Sequence, residues 1–212
     1  MKLDLSVFKL NIGSGHHRAE GWTNLDRSLE VKPDILFDLA DIPEKRIPLL
    51  SDSVDMFLCS HILEHIPNIL PVMQELYRIA KPGASMCVRV PYGGSDIAYE
   101  DPTHCRYFFE NSMSYFGQPA YARADYGYRG DWCEKNRIIS LHPKIKQAFG
   151  QGHKPSAEEI IEVVRGYRNM ATEIIFELEA VKPARPTTGN HENPVQCSFI
   201  WDSSFEDIKY DS

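Results

Sequence analysis

The chain has 212 residues, 42% of them hydrophobic, which suits one globular domain with a full-sized core. Its formal net charge of −7 argues against a nucleic-acid groove, because phosphate binding normally draws on clustered Lys and Arg. Five scattered cysteines without CxxC spacing suggest neither a disulfide nor a zinc framework, and no apolar run reaches the ~20 residues that cross a membrane. With no signal peptide at the N-terminus, a cytoplasmic protein without nucleic-acid or membrane partners is expected.

Val7 to Ile12 is a short apolar run of β formers and reads as a buried strand. It leads into Gly13-Ser14-Gly15, where paired glycines let the backbone turn sharply and let a ligand approach the main chain. The HHRAE segment that follows is too short for a full crossover helix. GWTNLD then reads as a second strand ending on Asp26. An acid at that place sits beside the glycine turn and can take both hydroxyls of a ribose, so the opening looks like half of an adenosine site. Pro33 to Leu39 reads as a third strand ending at Asp38-Leu39, with Asp41 as a competing carboxylate; either acid can also cap the following turn.

Asp55 to Cys59 is a fourth strand, with Ser60 and His61 at its C-terminal tip, where open α/β sheets bind ligands. In HILEH, His61, Glu64 and His65 are spaced to share one face of a helical turn. With one carboxylate between two histidines, this trio is a poor match for an oxygen-rich cation site, and no metal is expected. Residues 69–79 carry apolar positions at helical period, stopped by Lys81-Pro82-Gly83, and Ser85 to Val90 alternates into a fifth strand. From Tyr92 to Asn136 no strand is sustained, yet the segment holds eleven aromatics, too many for a disordered loop. It reads as a lid over the strand tips. A sixth strand at 137–141, a Ser156-capped helix to about residue 168, a seventh strand at 172–181 and an edge strand or hairpin arm at 195–201 complete the pattern.

LNIGSG with Leu25-Asp26, ILFDLADIP at 35–43, SVDMFLCSHILEHIPN at 53–68 and ELYRIAKPGASMCVRVPY at 75–92 resemble, in order and spacing, the core of class I S-adenosylmethionine-dependent methyltransferases. The likeness is to the type 11 group, and Asp-Pro-Thr-His at 101–104 resembles a bacterial and phage-type subset of it. The resemblance implies an α/β fold: a Rossmann-like, doubly wound, seven-stranded sheet with an antiparallel last strand and an aromatic lid after strand five. The division expected is one domain over 1–212, with a cofactor core at 7–91, a lid at 92–136, C-terminal strands and helix at 137–203 and a tail at 204–212. It implies S-adenosylmethionine as cofactor, held by Asn11, Gly13, Ser14, Gly15, Asp26, Asp38, Leu39, Ser60 and His61. Two features depart from the family pattern: the third glycine and long first helix are missing, and Asn11 stands where most members carry Asp or Glu.

The implied function is methyl transfer to the oxygen or nitrogen of a small-molecule or sugar-like acceptor. His104 is the first choice of base, oriented by Asp101, and His61 the second. Two other readings fit the glycine turn and Asp26: a non-catalytic protein that binds S-adenosylmethionine, and a nicotinamide-dependent oxidoreductase. The missing phosphate-helix glycine weighs against the last, since a pyrophosphate needs a helix N-terminus that S-adenosylmethionine does not.

Overall fold

Eight runs of β-forming residues pair into one sheet in the computed structural model, which describes residues 7–119, 125–149, 152–189 and 195–201. The strands are β1 (Lys9–Ile12), β2 (Thr23–Asp26), β3 (Ile35–Leu36), β4 (Val54–Ser60), β5 (Ala80–Pro91), β6 (Trp132–Leu141), β7 (Ala171–Ala180) and β8 (Gln196–Trp201). Their order across the sheet is β3-β2-β1-β4-β5-β7-β6-β8. Pairing is parallel from β3 to β5, β7 runs antiparallel to both β5 and β6, and β8 lies parallel to β6. This is the Rossmann-like order expected, with the seventh strand antiparallel. The sheet has eight strands rather than seven, because residues 196–201 add an edge beyond β6. Their parallel register with β6 makes them an edge strand and not a hairpin arm.

Leu10, Ile12, Leu25, Phe57, Cys59, Met86, Val88, Ile174 and Phe176 are buried and form the centre of the core. Helix α1 (Ile69–Ile79) is the crossover from β4 to β5 and buries Ile69, Val72, Met73, Leu76 and Ile79 along one stripe, as its apolar period dictates. A short α2 (Ile97–Glu100) sits in the long segment after β5. Helix α3 (Ala157–Gly166) starts on a capping box in which the Ser156 hydroxyl accepts from the Glu159 N–H and the Glu159 carboxylate accepts from the Ser156 N–H. The connections β1–β2 and β2–β3 hold no α-helix, so the helical cover of the doubly wound pattern is thin on that side.

Two boundaries move. The third strand has two paired residues instead of seven, because Asp38 already caps a 3-10 turn at Leu39–Asp41. The sixth begins at Trp132, so the last residues assigned to the lid belong to the sheet. Trp132 is fully buried, edge-on to Phe57 at 5.6 Å, and its Nε1–H donates to the Met73 carbonyl of α1 at 3.3 Å. Tyr121 and the 204–212 tail lie outside the described residues.

Candidate functional site

The strand order reverses between β1 and β4, the point at which an open α/β sheet takes its ligand. A cavity of about 440 Å³ lies there, lined among others by Gly13, Asp26, Asp38, Leu39, Ile62, His65 and Thr103. That volume falls in the ~300–1,000 Å³ range of small-molecule sites. A larger hollow of about 600 Å³ opens at the other ends of β1 and β2, beside Lys9, Arg18, Trp22 and Thr23. It stands apart from the strand tips, so the smaller cavity is the candidate site.

The glycine turn is built by backbone hydrogen bonds. Gly13 N–H and Ser14 N–H both donate to the Leu25 carbonyl, at 2.8 and 3.1 Å. Gly15 N–H donates to Asp26 Oδ2 at 2.8 Å, and Ser28 N–H donates to Asp26 Oδ1 at 2.9 Å. Each carboxylate oxygen keeps a lone-pair site for a further donor. The backbone at Gly13 has φ 64°, and a Cβ there would stand 2.5 Å from Ile62 Cγ1. Glycine is thus required both by conformation and by the close approach of Ile62. Gly13→Ala is expected to weaken S-adenosylhomocysteine binding about tenfold or more, since the left-handed conformation alone costs ~1–2 kcal/mol. Calorimetric titration checks this, and an unchanged affinity would remove the turn from the site. The Ser14 hydroxyl is buried and has no hydrogen-bond partner among the described residues, which suits a donor supplied by a ligand.

The other expected cofactor residues are placed as follows. Asp38 lines the cavity; its Oδ1 accepts from the Ala40 N–H at 2.9 Å and its Oδ2 lies 4.0 Å from Arg27 Nη1. Asp41, the competing acid, is instead engaged by Lys45 Nζ at 2.8 Å. Leu39 lines the cavity wall. Asn11 is buried outside the lining: its Nδ2 donates to Asn24 Oδ1 at 3.0 Å and to the His17 carbonyl at 3.3 Å. The amide therefore anchors the short HHRAE loop to β2. Asn24 completes that anchor by donating to the Trp22 carbonyl at 2.9 Å and accepting from the Ala19 N–H at 3.0 Å. Ser60 ends β4 beside Arg89 of β5, away from the lining residues.

His61 is also outside the lining, with φ 51°, a conformation uncommon for a side-chain-bearing residue. Its Nε2 is 2.7 Å from Glu173 Oε1, and its Nδ1 is 3.4 Å from Glu64 Oε1. Hydrogen bonding to Glu173, together with the facing Glu64 carboxylate, raises its pKa to about 9. The Arg89 guanidinium shares the same Glu173 carboxylate at 2.7 Å. An imidazole held in this way carries its proton at neutral pH, which disfavours the role of base.

The long segment after β5 is docked onto HILEH. Cys105 N–H donates to the Glu64 carbonyl at 2.9 Å, and the Arg106 guanidinium donates to the Pro67 carbonyl at 2.8 Å. This sets the His104 ring edge-on to His65, with centroids 4.7 Å apart. His104 Nδ1 is 2.9 Å from the Ala98 carbonyl, while Asp101 Oδ2 is 3.7 Å from His104 Nε2. Ala98, and not Asp101, orients the ring. The Asp101 carboxylate accepts from Thr103 N–H at 2.8 Å and from Thr103 Oγ1 at 2.6 Å, closing the loop on itself. His104 stands behind His65, which lines the cavity.

The aromatics divide. Tyr92, Phe108, Phe116, Tyr128 and Trp132 are buried in the core, as a packing layer requires. Tyr107, Phe108 and Tyr126 line a separate hollow of about 360 Å³ with Ile69 and Arg106, apart from the cavity at the strand tips. Among the cavity residues that sequence reasoning missed are Arg27, Phe37, Ile62, His65, Ile66 and Thr103. Position directly after a strand tip marks Ile62 as a candidate, but nothing in the sequence shows that it touches Gly13.

The profile of a family described as a methyltransferase domain matches residues 19–88, from just after the glycine turn through most of β5. No curated protein sequence matches the chain. Among solved structures, an S-adenosylmethionine-dependent methyltransferase from Archaeoglobus fulgidus aligns with TM-score 0.56 at 14% identity, covering 82% of this chain and 86% of that one. A phosphoethanolamine N-methyltransferase 2 from Haemonchus contortus, solved with S-adenosylhomocysteine, aligns with TM-score 0.50 at 13% identity over 83% of this chain and 49% of its own. The cyclase SpnF has the same fold, with TM-score 0.50, 14% identity and coverage of 84% and 76%. Residues 19–88 thus match a methyltransferase-domain family, and the fold is the one seen in S-adenosylmethionine-dependent methyltransferases.

Proposed function

We propose that the protein transfers a methyl group from S-adenosylmethionine to the oxygen or nitrogen of a small polar acceptor, such as a sugar-like molecule. The observation that carries this reading is one cavity lined both by Gly13 and Asp26 and by His65 and Thr103. S-adenosylmethionine supplies an electrophilic methyl on a sulfonium. The chain supplies binding and alignment, and alignment alone is worth ~7–11 kcal/mol in reactions of this type. Asp26 is assigned to the ribose hydroxyls, using the lone pairs not taken by Gly15 and Ser28. Asp38 and Leu39 are assigned to the adenine end, and the Gly13–Gly15 turn to the methionyl part.

The acceptor is placed beside His65 and Thr103, where the lid segment meets the turn after β4. His104 holds the His65 ring from behind and remains within one side chain of the acceptor space. Five free thiols fit a cytoplasmic setting, and no helix among the described residues is long and apolar enough to cross a membrane. Calorimetry on the intact protein tests the reading. S-adenosylhomocysteine is expected to bind with one-to-one stoichiometry and NAD not at all. Binding of NAD without S-adenosylhomocysteine would overturn the reading in favour of hydride transfer. Tight S-adenosylhomocysteine binding with no turnover across a broad acceptor screen would favour a binding protein.

A further inference from the structure

We propose that Glu64, His65 and His104 form a site for one divalent first-row transition ion of the zinc type, open toward the cofactor cavity. One ligand atom from each of the three residues lies within 4.8 Å of the other two. The sequence places His104 some forty residues from the others, and the hydrogen bonds from Cys105 and Arg106 to the HILEH turn bring it there.

Three observations make this more than a crowded corner. The first is Glu64: its side chain is 1% exposed, and both carboxylate oxygens lack a hydrogen-bond partner among the described residues. The nearest charge is His61 Nδ1 at 3.4 Å, an ion-pair contact that leaves those oxygens without a hydrogen bond. The imidazolium compensates the charge from one side, and the carboxylate keeps an unpartnered oxygen that can take a further cation. The second is the orientation of the rings. The Ala98 carbonyl can only accept, so His104 Nδ1 carries the hydrogen and Nε2 presents its lone pair. The Thr103 hydroxyl donates to Asp101, so it accepts from His65 Nδ1–H, and His65 Nε2 is likewise left as an acceptor. A carbonyl or hydroxyl fixing the far nitrogen of each ring is the second layer that metal-binding histidines use.

The third is chemistry. Two imidazoles and one carboxylate match zinc and related ions, whereas magnesium and calcium require more oxygen ligands. Metal–ligand bonds of ~2.0–2.1 Å set the ligand atoms of one tetrahedron about 3.3 Å apart, so the trio closes by side-chain rotation of roughly an ångström or two. Three protein ligands leave at least one position open. His65 and Thr103 line the cavity, so that position is suited to water or an oxygen atom of the acceptor. The acceptor role rests on the methyl-transfer reading, while the binding of the ion does not.

The test is calorimetric titration of the metal-free, full-length protein with zinc, and with cobalt followed by its visible absorption. One equivalent is expected to bind, and millimolar magnesium is expected not to compete. Glu64→Gln and His104→Ala should each weaken zinc binding roughly 100-fold or more, above the 10–100-fold typical of losing a second-layer partner. His17→Ala, which removes an exposed surface imidazole, should leave it unchanged. Circular dichroism and S-adenosylhomocysteine affinity in the same variants report whether they are folded. Absence of stoichiometric binding, full affinity in folded His104→Ala, loss of affinity in His17→Ala, or displacement by magnesium would each overturn the site. Zinc binding by a protein that does not bind S-adenosylhomocysteine would overturn the methyl-transfer reading and leave the site standing.

Discussion

Asp26→Ala is expected to weaken S-adenosylhomocysteine binding by ~1.5–3 kcal/mol, about ten- to over a hundredfold, the range for hydrogen bonds to a charged group. The carboxylate has two tasks. It accepts the Gly15 and Ser28 N–H groups, at 2.8 and 2.9 Å, and so holds the glycine turn closed against β2. It also borders the cavity, with lone pairs to spare for two hydroxyls. Alanine removes both, whereas Asp26→Asn keeps one acceptor oxygen for the Gly15 N–H and loses the charge. If contact with the ligand dominates, the asparagine variant loses most of the affinity while its melting temperature stays near that of the parent. If holding the turn dominates, asparagine binds nearly as well as the parent and only alanine fails. Equal affinity in all three proteins would take Asp26 out of the site.

The part of the cavity lined by the glycine turn and the strand-end acids was legible because its signals are local. A glycine pair at a strand end and an acid at the next strand end are readable from spacing alone, and Gly13, Asp26, Asp38 and Leu39 do line one cavity. Asn11 shows the limit. It sits at the C-terminal part of β1, yet its amide is spent on Asn24, its register partner across the β1–β2 pair, because the short HHRAE loop needs an anchor. His61 was singled out by position at a strand tip, but Glu173 lies 112 residues away and only the antiparallel β5–β7 pairing brings it within reach. The side of the cavity lined by His65 and Thr103 depended on contacts between segments about forty residues apart: Cys105 to Glu64 and Arg106 to Pro67. No periodicity encodes such contacts. The aromatic richness of 92–136 was visible, but which rings fill the core and which face outward follows from where Trp132 enters the sheet.

That same junction gives the largest expected stability effect. Asp131→Ala is expected to destabilise the fold by ~3–5 kcal/mol, the cost of breaking a buried ion pair from one side. The expected fall in melting temperature is roughly 6–20 °C for a chain of this size. Asp131 has no exposed surface. Its Oδ1 accepts from Gln118 N–H at 2.9 Å, and Oδ2 accepts from Arg185 N–H at 3.0 Å. The Arg185 guanidinium closes on both oxygens at 2.8 and 2.7 Å. One carboxylate thus ties Gln118, in the segment after β5, and the chain after β7 to the start of β6. Burial pushes its pKa up, but the Arg185 guanidinium and the two N–H groups outweigh it and hold the pKa below the ordinary 3.8. A depressed folded-state pKa means the stabilisation is fully present above the unfolded value and is lost as pH falls through the folded one. The stability gap between parent and variant should therefore be constant from neutral pH down to about 5 and narrow in strong acid. Asp131→Asn, which keeps the shape and one acceptor, should cost less than alanine. Denaturant unfolding at several pH values measures all of this, and S-adenosylhomocysteine affinity should be unchanged in the folded variants. A gap that does not shrink in acid would mean that packing around Trp132, and not the charge on Asp131, holds the segment after β5 to the sheet.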